Sequence, residues 1–207
     1  MHSQFLFDPN CQNCQKNTRE ILDQSALWLS QSDISSFLNE DRLSFNIGFS
    51  LLEKNNFIPN LNSTLKITQN LSLTSKLYTF TYNKATPQVI GIGLNYYPSK
   101  TSNFNWIFCL QKVDLKGLKD YRQSIFAVSF SKILRLKTFE IFYGLGSNFN
   151  KQKLYVIYNN SPKNMENQIN YFDVGILKRL KYLDIKFHII SNFDSNIISL
   201  MFKKSIF

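Results

Sequence analysis

Three observations predict an all-β fold: a closed antiparallel transmembrane β-barrel of about ten strands, within roughly 8 to 12, preceded by a short N-terminal helix. From Arg42 to the C-terminus the hydrophobic period is 2, the period of a strand. Each alternating segment sets a wholly apolar face against one of Gly, Ser, Asn and Ala. Aromatic residues make up 15% of the 207 residues and charged residues only 18%, which excludes a disordered chain and a charge-laced helical bundle and requires a wide apolar surface.

The first forty residues differ in kind. They hold two bases, Lys16 and Arg19, against five acids, Asp8, Glu20, Asp23, Asp33 and Glu40, net −3, whereas residues 41–207 carry net +13. The division predicted is an N-terminal segment, 1–40, and a barrel domain, 41–207. Asn17 or Thr18 can cap a helix over 17–39, where Leu22, Ala26 and Leu29 recur at helical spacing beside Ile21, Ser25 and Trp28. This helix is expected to cap one end of the barrel or to lie at a membrane surface. Cys11 and Cys14 form a lone CxxC without further ligands at short spacing, and Cys109 sits between Phe108 and Leu110, so no metal and no cofactor is expected. No apolar run reaches a transmembrane helix, and no secretory signal is visible, since only Phe5-Leu6-Phe7 is apolar before Asp8.

The strands follow in order. Leu43, Phe45, Ile47, Phe49 and Leu51 alternate with Ser44, Asn46, Gly48 and Ser50. Segments 63–68 and 71–82 are strand-like, and Ile90, Ile92, Leu94 and Tyr96 alternate with Gly91, Gly93 and Asn95. Phe104 to Leu110 and Phe126 to Phe130 repeat the design. Later segments carry ionisable groups on the small face: Glu140 and Phe142 against Ile141 and Tyr143, Asp173 against Phe172 and Val174, and Asp184, Lys186 and His188 against Ile185, Phe187 and Ile189. Segment 196–206 completes the set. Connections alternate between short ones and long polar ones at 52–62, 113–121 and 147–168, with Lys153 to Tyr158 an extra strand or part of a loop hairpin.

The chemistry of the two faces decides between a soluble sandwich and a membrane barrel. A sandwich needs Lys, Glu, Thr and Gln on its solvated face; small residues with single charges suit a narrow lumen instead. Tyr78, Phe80, Tyr82, Tyr96, Tyr97, Phe104, Trp106 and Tyr143 lie near strand ends, where interfacial girdles form. Leu71-Ser72-Leu73 after Thr68-Gln69-Asn70, the run Gly91 to Tyr97, and an aromatic final residue give residues 42–207 the texture of a known group: the chain resembles the small outer-membrane β-barrel proteins of Gram-negative bacteria. The resemblance implies an outer-membrane location, insertion by the barrel-assembly machinery, and Phe207 as part of the signal that machinery reads. Ile198, Leu200, Phe202 and Ile206 share a face that Phe207 does not.

Candidate site residues lie on the small face. Glu140, Asp173, Asp184, Lys186 and His188 are expected to form a polar lumen network, with Lys66 as a further base, because unpaired charges in a confined interior are costly. An alternative is a lipid hydrolase or protease using His188. Asp184 stands about 13 Å along the strand from it, so Asp173 is the candidate carboxylate. Basic residues gather at connections: Lys132, Arg135, Lys137, Lys178, Arg179, Lys181, Lys203 and Lys204 at the short-turn end, and Lys112, Lys116, Lys119 and Arg122 at the other. These rims are expected to contact membrane lipid and lipopolysaccharide phosphates. A soluble basic barrel binding RNA or anionic ligands is a further alternative, but aromatics and bases are segregated rather than interleaved, so nucleic acid is not the expected partner. The role expected is a non-enzymatic envelope scaffold, surface-contact protein or narrow pore, with a lumen too full for a general porin.

Overall fold

The computed structural model describes residues 14–34, 42–52, 56–81, 85–98, 105–155 and 164–206. One helix, α1 (Cys14–Leu29), precedes ten strands: β1 (Leu43–Leu52), β2 (Asn56–Lys66), β3 (Leu71–Thr79), β4 (Gln88–Tyr96), β5 (Trp106–Lys116), β6 (Tyr121–Arg135), β7 (Glu140–Leu154), β8 (Asn164–Arg179), β9 (Asp184–Ser191) and β10 (Asn196–Ser205). Each strand pairs antiparallel with its neighbours in sequence, and β1 pairs with β10 from Ser44↔Ser205 to Leu51↔Ile198 to close the barrel. Closure leaves no free sheet edge at the ends of the series.

The apolar residues of the period-2 pattern point out, as the sequence requires. Ile47 is 54% exposed, Leu77 77%, Ile92 72% and Phe172 55%, whereas inward Lys186, His188 and Lys203 are each 1% exposed. On β1 the outward row runs from Leu43 to Leu51, about 26 Å of strand at ~3.3 Å per residue, enough for a tilted strand to cover most of a membrane-sized belt.

The barrel has a near end, where β1 begins and β10 finishes, and a far end. The connections expected to be long are largely strand: 56–62 belongs to β2, 113–116 to β5, and 147–154 and 164–168 to a hairpin of β7 and β8 paired from Glu140↔Leu177 to Lys153↔Asn164. Of Lys153 to Tyr158, Lys153 and Leu154 end β7 within that hairpin, and residues 156–158 lie outside the described residues. Gly117, with φ 82°, makes the sharp return between β5 and β6, a backbone conformation that glycine adopts without a Cβ clash.

The wall is uneven at one joint. β2 and β3 share four residue pairs, Ser63↔Ser75 to Lys66↔Ser72. Above them β2 pairs with β1 alone, and there Pro59 spares the ladder an N–H it has no partner for. Tyr78 reaches across instead, its hydroxyl donating to the Pro59 carbonyl at 3.3 Å.

The core lies inside the barrel. α1 enters at the far end, where Asn167 of β8 donates to Asp23, and the chain descends through the lumen to Ile34 near the near end, so the described segment, residues 14–34, fills the interior rather than capping an end or lying on a membrane. Its mixed faces explain this. Leu22, Ala26, Leu27, Trp28 and Leu29 join Ile58, Val89, Leu115 and Ile125 in an upper cluster, and Ile34 joins Ile107, Cys109, Ile133 and Phe142 in a lower one. The helix covers Cys14–Leu29, shorter than the expected 17–39.

Candidate functional site

Between the two apolar clusters lies a polar layer in which the N-terminal segment meets the wall. Inward positions of β1, β2 and β10 supply Ser50, Asn60 and Ser199 because strand alternation places small polar residues there. Gln31 donates to Ser199 Oγ at 2.5 Å and to Ser50 Oγ at 3.2 Å, while Asn60 Nδ2 donates to Gln31 Oε1 at 2.9 Å. Trp28 Nε1 donates to Asn60 Oδ1 at 2.9 Å. Two residues beyond Gln31, Asp33 accepts from Asn46 Nδ2 at 2.9 Å and from Thr64 Oγ1 at 2.8 Å. The Asp33 carboxylate also supplies opposite charge to Lys186 and Lys203.

Three buried lysines hold the segment's backbone or charge. Lys76 Nζ donates to the carbonyls of Leu29 and Gln31 at 2.7 and 2.5 Å, satisfying carbonyls left open where α1 ends. Lys186 Nζ donates to the Ser32 carbonyl at 3.2 Å and lies 4.7 Å from the centre of the Phe142 ring. Gln111 donates to the Ser30 carbonyl, and Asn95 Nδ2 to that of Asp33 at 2.8 Å. Chain leaving a helix carries unpaired backbone groups, and a dry interior makes each of them costly, so the wall provides donors.

The sequence-predicted network is distributed over this layer and the near rim. Asp173 accepts from Ser131 Oγ at 3.3 Å and stands 3.8 Å from His188 Nε2. Glu140 pairs with Arg179 at 2.8 Å, so its base comes from the rim group rather than from Lys66 or Lys186. Asp184 faces Lys203 in register across β9 and β10. Lys66 ends β2 at the near end, opposite Ser72. Lys132 lies over the Trp106 ring at 5.4 Å and Lys181 over the Tyr182 ring at 5.1 Å, while Arg135 faces Glu140 in register and Lys178 is exposed.

Three of the expected girdle residues lie elsewhere. Tyr78 and Phe80 belong to the lumen, packed with Trp28, whose ring meets Phe80 edge-on at 6.0 Å. Leu73 and Leu77 take the outward face of β3, and the even positions therefore turn in. Tyr97 likewise packs against the lower cluster. Phe207, Cys11, Tyr82 and Phe104 lie outside the described residues, as does the Cys14 side chain.

Asp33, Gln31 and Lys76 were not singled out as site residues by sequence reasoning, and Lys203, expected among the bases of the short-turn rim, is instead buried on the inward face of β10 opposite Asp184. The available signal was the opposition of an acidic segment and a basic barrel, together with lysines at inward phases of β3, β9 and β10.

The Ser131, Asp173 and His188 cluster is not arranged for nucleophilic catalysis. A triad places the imidazole between hydroxyl and carboxylate; here the carboxylate lies between, and neither His188 nitrogen has a hydrogen-bond partner among the described residues. Among the described residues no group of three or more His, Cys, Asp or Glu side chains is arranged to hold a metal. Toward the far end, burial pushes the Asp23 carboxyl up from its ordinary range, against the donated hydrogen bond of Asn167 at 3.0 Å and the Arg19 guanidinium at 3.8 Å.

No protein-family model matches the chain, and no curated protein matches it. Among solved structures it is similar to Neisserial surface protein A, 8% identical, covering 80% of this chain and 95% of that one with a TM-score of 0.40. It is also similar to the outer membrane protein Omp33 of Acinetobacter baumannii, 9% identical, covering 80% and 98%, TM-score 0.42. The translocator domain of the autotransporter NalP from Neisseria meningitidis is 10% identical, covering 93% and 98%, TM-score 0.41. At these scores they supply no correspondence of residues.

Proposed function

We propose that this chain is an integral outer-membrane β-barrel protein, a non-enzymatic scaffold or surface-contact protein whose lumen is sealed by its own N-terminal segment. The observation that carries the reading is the inversion of the two faces. A soluble barrel of this size hides its apolar rows and exposes its charges. Here Phe49, Leu145 and Phe172 are each at least 55% exposed, while Asp173, Lys186, His188 and Lys203 are at most 2% exposed. A continuous apolar outer surface is stable against hydrocarbon and a liability in water.

The ends of the belt favour the same reading. Trp106 stacks on Phe130 at 4.2 Å near the near end, beneath Lys132, an aromatic ring with a cation held at the level expected of headgroups. At the far end the outward residues of the β7–β8 hairpin turn polar, with Lys151 paired to Glu166 at 2.9 Å, as suits a hairpin standing beyond the bilayer. Buried His188 without a bonded base, behind the segment, speaks against the hydrolase alternative.

Refolded into detergent or vesicles, the protein is expected to migrate faster on a gel when unheated than when boiled and to remain with the membrane after alkaline extraction. Full solubility without detergent, together with a heat-independent mobility, would contradict the membrane reading.

A further inference from the structure

On the outside of the far end, just above the apolar belt, β5 to β8 enclose a groove of about 460 Å³ lined by Lys116, Arg122, Lys151 and Lys153 with Asp114 and Glu166. Resting on the membrane reading above, we propose that this groove binds the phosphorylated headgroup of a lipid A-type glycolipid, with the acyl chains laid on the belt beneath it.

The register concentrates the cations. Arg122 stands directly opposite Lys153 across β6 and β7. Like charges at opposed positions repel, so this arrangement calls for an anion between them. Lys151, one outward position below Lys153, is already matched by Glu166. Asp114 faces Ser124. Lys116, Arg122 and Lys153 have no carboxylate within ion-pair distance among the described residues. They come from three adjacent strands, a span of about 10 Å, wider than a single phosphate.

Below the cations the surface turns largely apolar, although exposed Lys112 still stands opposite Phe126 across β5 and β6. Phe126 and Phe149 face each other in register and are 46% and 47% exposed. Phe149 is two residues from Lys151 and Phe126 four from Arg122, about 7 and 13 Å along their strands. Cations above paired rings on one outer face match an amphiphile carrying several phosphates and more than one chain. A soluble polyanion would have no use for the rings, and a neutral lipid none for the bases. Guanidinium and ammonium groups bind phosphate through charge-assisted hydrogen bonds that strengthen beside a low-dielectric surface.

The test is native mass spectrometry of the full chain in detergent, titrated with lipid A and with lipid A stripped of both phosphates. Wild type is expected to retain lipid A and to lose most of that retention when the phosphates are absent. The double variant Arg122→Gln and Lys153→Gln is expected to bind lipid A at least about tenfold more weakly, while keeping the heat-dependent gel mobility of wild type. Equal binding by the variant, equal binding of the stripped lipid, or release of lipid A by inorganic phosphate alone overturns the inference. A wild-type chain that never shows heat-dependent mobility fails the membrane reading instead, so the two failures are told apart.

Discussion

Asp33 concentrates the electrostatics of the lumen in one carboxylate. It accepts from Asn46 and Thr64 and faces Lys186 and Lys203, both buried. Breaking a buried charge arrangement by deleting one partner is expensive, because the charges left behind have lost their water as well as their counter-ion. Asp33→Ala is therefore expected to cost about 3–5 kcal/mol, and Asp33→Asn less, since an amide oxygen still accepts one of the two hydrogen bonds. Urea unfolding followed by gel mobility checks the order: wild type most stable, then Asn, then Ala. An Ala variant as stable as wild type would remove Asp33 from its central place. At this scale the sequence was partly legible. Asp173 follows as the partner of His188 because alternation puts both inside and along-strand distance rules out Asp184. Asp33 does not follow, because a lone acid beyond a helix carries no period and only the three-dimensional path shows which lysines it meets.

The strands differ in how well they are held. β6 and β7 are joined from Tyr121↔Leu154 to Arg135↔Glu140, whereas β2 and β3 share four pairs. In an antiparallel strand a residue's N–H and C=O point to the same side. The Pro59 carbonyl receives the Tyr78 hydroxyl from β3, so the amides of Phe57 and Leu61 also point toward the incomplete joint. Their hydrogen exchange is expected to be much faster than that of Phe126 or Phe130 in the long ladders, measured by mass spectrometry on the detergent-solubilised protein. Comparable protection would mean that the joint closes in solution. The faces of every described strand that alternates were legible, from Leu43 to Phe202, because the belt demands an apolar residue at nearly every second position, outward Ser63, Ser75 and Lys112 being exceptions. The extent of β7 and β8 was not. Where the hairpin rises beyond the belt, outward Ser147, Lys151, Glu166 and Gln168 need not be apolar, so the alternation vanishes and a strand looks like a polar loop.

For the molecule as a whole, the net +10 divides into a basic barrel and an acidic segment whose described residues, 14–34, lie inside it. The charge first suggests an external polyanion, yet buried Lys186 and Lys203 are answered from within by Asp33. Upper and lower apolar clusters with a hydrogen-bonded layer between them leave little continuous path for water. Conductance of the reconstituted protein in planar bilayers is expected to stay near background, and replacing Trp28 with Ala, which opens space between Asn60 and Phe80, is expected to raise it. Large, steady wild-type currents would show that the segment does not seal the barrel.

The path of the chain through the lumen also orders events in time. Ile34 lies near the end where β1 starts, and β1 with β10 is the one pairing in the ring between strands that are not adjacent in sequence. A finished ring would have to be threaded, whereas an open sheet can curl around a helix already lying on its inner face. The ladder joining Ser44–Leu51 to Ile198–Ser205 is thus expected to zip last, since a contact between sequence extremes carries the largest loop-closure cost.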